Sequence, residues 1–392
     1  MQHEKIAIIA GARTAIGRFS GVLGGKESHE LGSESVKGAI QRSGVPGHDI
    51  DEVIMGCIGQ VGPHAYNARQ VAIGAGLGED TPAFNVNRLC GSGLQAVWSA
   101  AQQLAWGGSD FIVAGGNESM SNMPFLDFDT RSGRKLGHRR FLDGTIAMLT
   151  DPFSGKHMGF TAENVARKFD VSRLAQDEFA LESQRRAAAT SSKAVFAEEI
   201  LQHSIVGGDS ADVDEHPRST TTLDSLARLD PAFDPQGSVT AGNSSGINDG
   251  AAALVLGKVS GIRDRGLPAL ATIEHVSTAA MAPELMGYAP TLALQKLFAE
   301  TGLAPVDIGV TELNEAFASQ ALAVIRDAKL NPESTNPYGG AIALGHPVGA
   351  TGAILTLRVA MDLQRRDLEF GIVTMCIGGG QALAALLRRY PS

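Results

Sequence analysis

The chain spells one structural unit twice. An apolar strand pattern, Phe84 to Val86, gives way to the loop Asn87-Arg88-Leu89, then to Cys90 and two glycines, Gly91 and Gly93, that open a predicted helix of small residues, Leu94 to Trp106. A buried strand, Phe111-Ile112-Val113-Ala114-Gly115, follows and closes on Gly116. Far downstream the order returns. Thr335 to Gly340 leads through Gly345-His346-Pro347 into a Gly/Ala-rich helix, and Phe370 to Thr374 forms a strand ending in Cys376-Ile377-Gly378-Gly379-Gly380. A repeated strand-helix-strand unit restricts the chain to an α/β fold of two similar halves. His346 then stands where Cys90 stands, and Cys376 comes soon after the paired strand. Loops at the carboxyl ends of strands are where open α/β sheets hold their ligands.

The rest of the chain fits this frame. Ile6 to Ala10 and Val53 to Gly56 read as strands around a helix from Leu31 to Ser43 that Gly44 and Pro46 stop. From Ser119 to about Asn243 charge rises and strand runs thin out, with one good helix, Ser172 to Ser191, capped by Ser172. Long inserted loops usually bind something. Strand patterns resume at Leu254 to Leu256, Ala269 to Val276 and near Val310, with helices at Leu292 to Glu300 and from Glu315. The expected organisation is therefore an N-terminal half of residues 1–118 plus about 248–268, a loop domain of 119–247, and a C-terminal half of 269–392.

Composition excludes several function classes. The net charge of −9 and the lack of a long basic run argue against nucleic acid. Three scattered cysteines make neither a disulfide framework nor a zinc motif, which implies a reducing compartment and no metal. No apolar run reaches the length of a membrane span, the first residues lack a signal-peptide core, and the last are not a peroxisomal address, so a cytoplasmic protein is expected.

Cys90 at a helix N-terminus faces unpaired N–H groups and the positive end of the helix dipole, both of which favour thiolate. The plain alternative is a small core residue. The echo at His346 supplies a base across the two halves, the pairing that nucleophilic catalysis requires. Cys376 sits before a triple glycine whose N–H groups can turn toward a substrate oxygen, and Asn314 lies at a strand-to-helix transition as either an N-cap or a site amide. Cys57 has no comparable frame and reads as structural.

Four segments, Leu89-Cys90-Gly91-Ser92-Gly93, Asn314-Glu315-Ala316-Phe317, Gly345-His346-Pro347-Val348-Gly349-Ala350-Thr351-Gly352 and Cys376-Ile377-Gly378-Gly379-Gly380, resemble the active-site motifs of the thiolases, in the family's order. Met158 to Asn164 and Thr240 to Gly246 extend the resemblance over nearly the whole chain. It implies two βαβαβαββ halves in a layered α/β/α/β/α core with an inserted CoA-binding loop domain. It also implies an acyl-CoA C-acyltransferase of fatty acid metabolism, including β-oxidation, that joins acetyl-CoA to an acyl-CoA or cleaves 3-ketoacyl-CoA. By resemblance Cys90 is nucleophile and acyl carrier, and His346 its base and an oxyanion donor. Cys376 is the acid/base at the α-carbon, Asn314 orients a water in the oxyanion hole, and Gly378 adds a backbone N–H. Arg218 is similar to the arginine packed on adenine, Ser245 to a serine near pantetheine, and His157 and Met158 to tunnel residues. Met286 and Phe317 are similar to walls of the acyl pocket. CoA and acetyl-CoA are then substrates, with no permanently bound cofactor, no metal, no membrane insertion, and a homodimer or homotetramer as the expected assembly. Tyr288 departs from the family's usual sequence after Met286-Gly287, so the resemblance does not carry over a chain-length preference; Ala382 replaces a usual glycine. Two rivals are weaker. A decarboxylating ketoacyl synthase lacks a second cysteine at the Cys376 position, and a binding protein on a dead scaffold would not keep all four reactive groups.

Overall fold

The computed structural model describes residues 4–133, 135–201, 205–206 and 209–391, so the first three residues and Ser392 lie outside the described set. Nine main strands form it: β1 (Ile6–Arg13), β2 (Glu52–Gly56), β3 (Ala83–Val86), β4 (Phe111–Ser119), β5 (Asn248–Lys258), β6 (Ala271–Ala280), β7 (Val310–Leu313), β8 (Phe370–Ile377) and β9 (Gln381–Arg389). Their order is β7-β8-β9-β6-β1-β5-β4-β2-β3. β2, β3 and β4 are parallel neighbours, and β5 runs antiparallel between β4 and β1. The second half repeats the order: β7 is parallel to β8, and β9 runs antiparallel between β8 and β6. Its third strand has shrunk to a single parallel bridge between Thr311 and Thr335. Two pairs, Ala7 with Thr272 and Ile8 with Ala271, join the halves into one hydrogen-bonded run.

The strands alternate as a two-sided sheet must. Ile6 and Ile8 of β1 and Leu254 and Leu256 of β5 face a central core, whereas Ile9 and Val255 face the other way. On the second half Val373 and Met375 of β8 and Leu383 of β9 also face the central core, and Ile372 and Ala384 turn outward. Helices α1 (Ser28–Ser43) and α2 (Asn67–Gly74) cover the first outer face. The central layer holds α3 (Ser92–Trp106), and α4 (Gly159–Lys168), α5 (Arg173–Ala188) and α6 (Thr190–Glu199) lie in the long β4–β5 connection. Helices α7 (Ala289–Thr301) and α8 (Ala318–Asp327) cover the second outer face, and α9 (Thr351–Arg365) joins α3 in the middle. Five layers result, helix, sheet, helix, sheet, helix.

The connection between β4 and β5 is more helical than its polar texture suggests. Ser172 does cap α5, accepting from Ala175 N–H at 3.2 Å, but the helix stops at Ala188 because Ala189 is extended, and α6 begins anew. Buried ions pin this connection to both halves. Glu199 at the end of α6 accepts from Arg13 of β1 at 2.7 Å and from Arg358 of α9 at 2.9 Å. Both arginines hold its carboxyl below its ordinary range against the cost of burial.

The two central helices touch at glycine. A Cβ on Gly93 would stand 2.7 Å from Ala353 N, and one on Gly352 would collide with Leu94 N. Gly352→Ala is expected to force the helices apart and to cost at least about 1–3 kcal/mol, read as a lower midpoint in urea unfolding.

Candidate active site

That glycine contact decides what faces what. Gly93 and Gly352 are reciprocal, and counting back three residues from each makes Gly349 the position that corresponds to Cys90. His346 stands three residues earlier still, so its equivalence with Cys90 is one of region and not of position. Pro347 is likewise not the first helical residue. Helix α9 starts at Thr351, and the Pro347 carbonyl accepts from Ala350 N–H at 2.9 Å and Thr351 N–H at 3.0 Å.

Cys90 sits in a strained turn. Leu89 has a φ of 48°, in the left-handed region a branched side chain avoids. The turn is held by Asn87 Oδ1, which accepts from Leu89 N–H at 3.0 Å, and by Ser92, whose hydroxyl accepts from Arg88 N–H at 2.9 Å and donates to Leu89 O at 2.6 Å. Helix α3 begins at Ser92, two residues earlier than expected, so the sulfur lies just before its first turn. The backbone N–H groups of Gly378 and of Cys90 itself point at the sulfur. Burial still wins: the Cys90 thiol is pushed up to about 11, against the expectation of a resting thiolate.

His346 is 5% exposed, and burial lowers its pKa to about 4, so its resting form is neutral. Its Nδ1 lies 2.7 Å from Thr351 Oγ1, and that hydroxyl donates to Pro347 O at 3.0 Å. Nδ1–H is therefore the donor to Thr351, which leaves the lone pair on Nε2. Asn314 Nδ2 lies 3.4 Å from Nε2, and the His346 N–H donates to Asn248 Oδ1 at 2.9 Å. Asn314 is not an N-cap, since α8 starts at Ala318; its own N–H donates to Thr374 O at 3.0 Å, and its side chain turns to the imidazole. Its Oδ1 is buried without a protein partner.

Cys376 ends β8, 1% exposed, in an apolar cluster with Met286, Ala316 and Phe317. Burial raises its pKa far above an ordinary thiol, and the charge of a Cys90 thiolate would raise it further. The two sulfurs thus feel each other.

A cavity of about 500 Å³ opens over these groups. Of the predicted residues Cys90, His157, Met158, Arg218, Ser245, Met286, Phe317, His346 and Gly378 line it, while Cys376 and Asn314 stand behind the wall. His157 stacks on Phe233 with ring centroids 4.8 Å apart, Phe233 meets Phe317 edge-on at 6.2 Å, and Ser245 N–H donates to Ala316 O at 3.0 Å. Arg218 is exposed at the rim, anchored by its N–H to Gln184 Oε1 at 2.7 Å. Sequence reading missed Phe233, His216, Met120 and Leu89, which share the lining. No local pattern marks the first three, because only the chain's return over the core brings them here. Tyr288 is not part of the lining. Its ring stacks on Phe169 at 3.9 Å and its hydroxyl donates to Asp327 Oδ2 at 3.0 Å, away from the cavity. Among the described residues no group of three or more His, Cys, Asp or Glu is placed to hold a metal, and no helix is long and apolar enough to cross a membrane.

Fold and site together give an α/β protein in which a thiol, a neutral imidazole and a second, buried thiol gather at one apolar cavity. Family models for the thiolase N-terminal domain and the thiolase C-terminal domain match residues 6–260 and 267–389. The acetyl-CoA acetyltransferase of Rhizobium meliloti is 44% identical over 99% of this chain and 100% of its own. The beta-ketothiolase BktB of Cupriavidus necator is 43% identical over 98% of this chain and 99% of its own. The structure of human mitochondrial 3-ketoacyl-CoA thiolase in complex with CoA superposes with a TM-score of 0.96 at 36% identity, covering 99% of this chain and 98% of that one. The chain belongs to the thiolase family, and it is an acyltransferase.

The raised Cys90 pKa has a direct consequence. Thiolate is the form that attacks a neutral alkylating agent, and below a pKa of about 11 its fraction grows with pH. Alkylation of Cys90 by iodoacetamide, without substrate, is expected to accelerate about tenfold per unit between about pH 7 and 10. A resting thiolate-imidazolium pair would give a level rate instead.

Proposed function

We propose that Cys90 carries the acyl group in the thiolase reaction of this chain, the reversible Claisen condensation of acetyl-CoA with an acyl-CoA, or the CoA-dependent cleavage of 3-ketoacyl-CoA. The observation that carries this reading is the meeting, beneath one apolar cavity, of the Cys90 sulfur, the His346 imidazole held through Nδ1 by Thr351, and the Gly378 N–H. As the sulfur bonds to the thioester carbonyl, its proton passes to His346 Nε2. The oxyanion accepts from the N–H groups of Cys90 and Gly378. The departing CoA sulfur takes the proton of Cys376, whose buried thiol gains little from keeping charge away once an imidazolium stands nearby. That leaves acyl-Cys90, Cys376 thiolate and His346 imidazolium. In the second step Cys376 removes the α-proton of acetyl-CoA, and the enolate oxygen accepts from His346 Nε2–H and from a water oriented by Asn314. The α-carbon attacks the acyl carbonyl, the Cys90 sulfur leaves, and it recovers the proton of His346. Every proton is returned, and no metal or permanently bound cofactor takes part.

The connection from 119 to 247 is the CoA-binding part in this reading, with Arg218 against adenine, Ser245 and the His157–Phe233 stack along the pantetheine, and Met158, Met286 and Phe317 around the acyl group. We further propose short to medium acyl chains, which suit the apolar lining, and a place in fatty acid metabolism, including β-oxidation, in the cytoplasm. Loss of acetoacetyl-CoA absorbance on addition of CoA tests the activity; no turnover of any 3-ketoacyl-CoA would favour a mere binding protein. Cys90→Ser is expected to lose more than about 10³-fold in rate and to take up no acetyl group. Cys376→Ser is expected to be acetylated on Cys90 by acetyl-CoA but to form no carbon–carbon bond, both read by intact mass. A Cys376→Ser protein that cannot be acetylated overturns this division of labour.

We further assign a homo-oligomer, a dimer or tetramer, with β3 at the interface. β3 is an edge strand, and Phe84 on it is 40% and Tyr66 beside it 70% exposed, an apolar edge that a second strand would cover. Phe84→Asp is expected to lower the mass measured by light scattering toward the monomer, whereas a wild-type monomer would end the assignment.

A further inference from the structure

A buried carboxylate beside the site takes no part in the steps above. Glu118, near the end of β4, is 1% exposed. Its Oε2 accepts from Ile58 N–H and from Gly349 N–H, both at 3.0 Å. Its Oε1 accepts from Gly59 N–H at 2.9 Å and faces Cys57 Sγ at 3.6 Å. Ile58 and Gly59 belong to the loop after β2 in the first half, Gly349 to the turn after His346 in the second. One side chain thus joins the two halves three residues from the imidazole.

The approach is close. A Cβ on Gly349 would stand 2.5 Å from Glu118 Oε2 and 3.1 Å from the Cα of Cys57. Ile58 and Val348, on either side of the joint, both line the cavity. The register of the two half-sheets gives the arrangement a counterpart. Gly56 pairs with Gly116 in the first half and Leu313 with Thr374 in the second. The next residues, Cys57 and Asn314, correspond, and so do Glu118 and Cys376, each two past its pairing partner. The second half uses these two positions for chemistry, and the first uses them to grip the turn that carries the base.

We propose that Glu118 is a positioning residue of this site: its carboxylate clamps the Cys57–Gly59 loop to the Gly349 turn and thereby fixes His346 relative to Cys90. The proposal rests on the assignment of His346 as the base. Two carboxylate oxygens satisfy four converging donors, whereas an amide offers one acceptor oxygen and turns its NH₂ group toward N–H donors it cannot accept from. Glu118→Gln therefore loosens the clamp without emptying the space, and Gly349→Ala pushes the same turn away from the other side.

The test compares wild type, Glu118→Gln and Gly349→Ala in thermal unfolding, in kcat and KM for acetoacetyl-CoA thiolysis, and in the rate of Cys90 acetylation by acetyl-CoA read by mass. Both variants are expected to fold cooperatively and to keep KM within about threefold. Both should lose about 10- to 100-fold in kcat, as a misplaced base does, with Cys90 acetylation slowed in parallel. Unchanged kcat per folded molecule, a loss confined to KM, or a Glu118→Gln protein that does not fold would each overturn the positioning role. Wild type that is never acetylated on Cys90 would instead bring down the assignment of the site itself.

Discussion

The contact of α3 with α9 through Gly93 and Gly352 is the constraint from which the site follows. Each helix is preceded by a loop bearing one reactive group, and the two helices belong to different halves. With no side chain between them, the helix starts close on one another, and Cys90 and His346 come to share one cavity. A side chain at either glycine would widen this gap, and an ångström of displacement between nucleophile and base is enough to cost about two orders of magnitude in rate.

The same crossing buries the chemistry, and burial settles protonation. A helix N-terminus stabilises an anion by about 0.3–1 kcal/mol. Burial nevertheless pushes the Cys90 thiol up to about 11, outweighing the Gly378 and Cys90 N–H groups that favour the anion. The resting pair is thus thiol and neutral imidazole. In the proposed reaction charge appears as the sulfur bonds to a substrate carbonyl, at the moment when the two N–H groups have an oxyanion to meet.

How much of this was legible depended on whether the cause was local. Strands that alternate faces, such as β1 and β5, and the small-residue helices α3 and α9 announce themselves by period, and the four motif segments name the reactive groups. Features that depend on what lies opposite in space stayed hidden. Leu89 reads as an ordinary apolar residue, yet it sits at a φ of 48° because Asn87 and Ser92 hold its turn. Tyr288 reads as a pocket residue by its neighbours, but Phe169 and Asp327 draw it outward. Glu118 is only the polar end of a strand until Gly349 arrives from the other half. Helix α4 was hidden by the polar residues around it; its buried face is completed by Ala162, Val165 and Ala166 against partners far along the chain.

The duplication also explains why two similar halves make one site and not two. The step from the fourth strand to the fifth is three glycines in the second half, Gly378 to Gly380, and the whole of Met120 to Ile247 in the first. The short connection lets a backbone N–H reach the Cys90 sulfur. The long one contributes more than half of the residues that line the cavity, from Met120 through His157 and Arg218 to Ile247. Symmetry brings the two helix starts together, and the unequal connections then break it: one is tight enough to place an oxyanion donor, the other long enough to wall in a substrate. The corresponding positions in the first half, Cys57 and Glu118, bond to each other and, through Glu118, to the Gly349 turn three residues after His346.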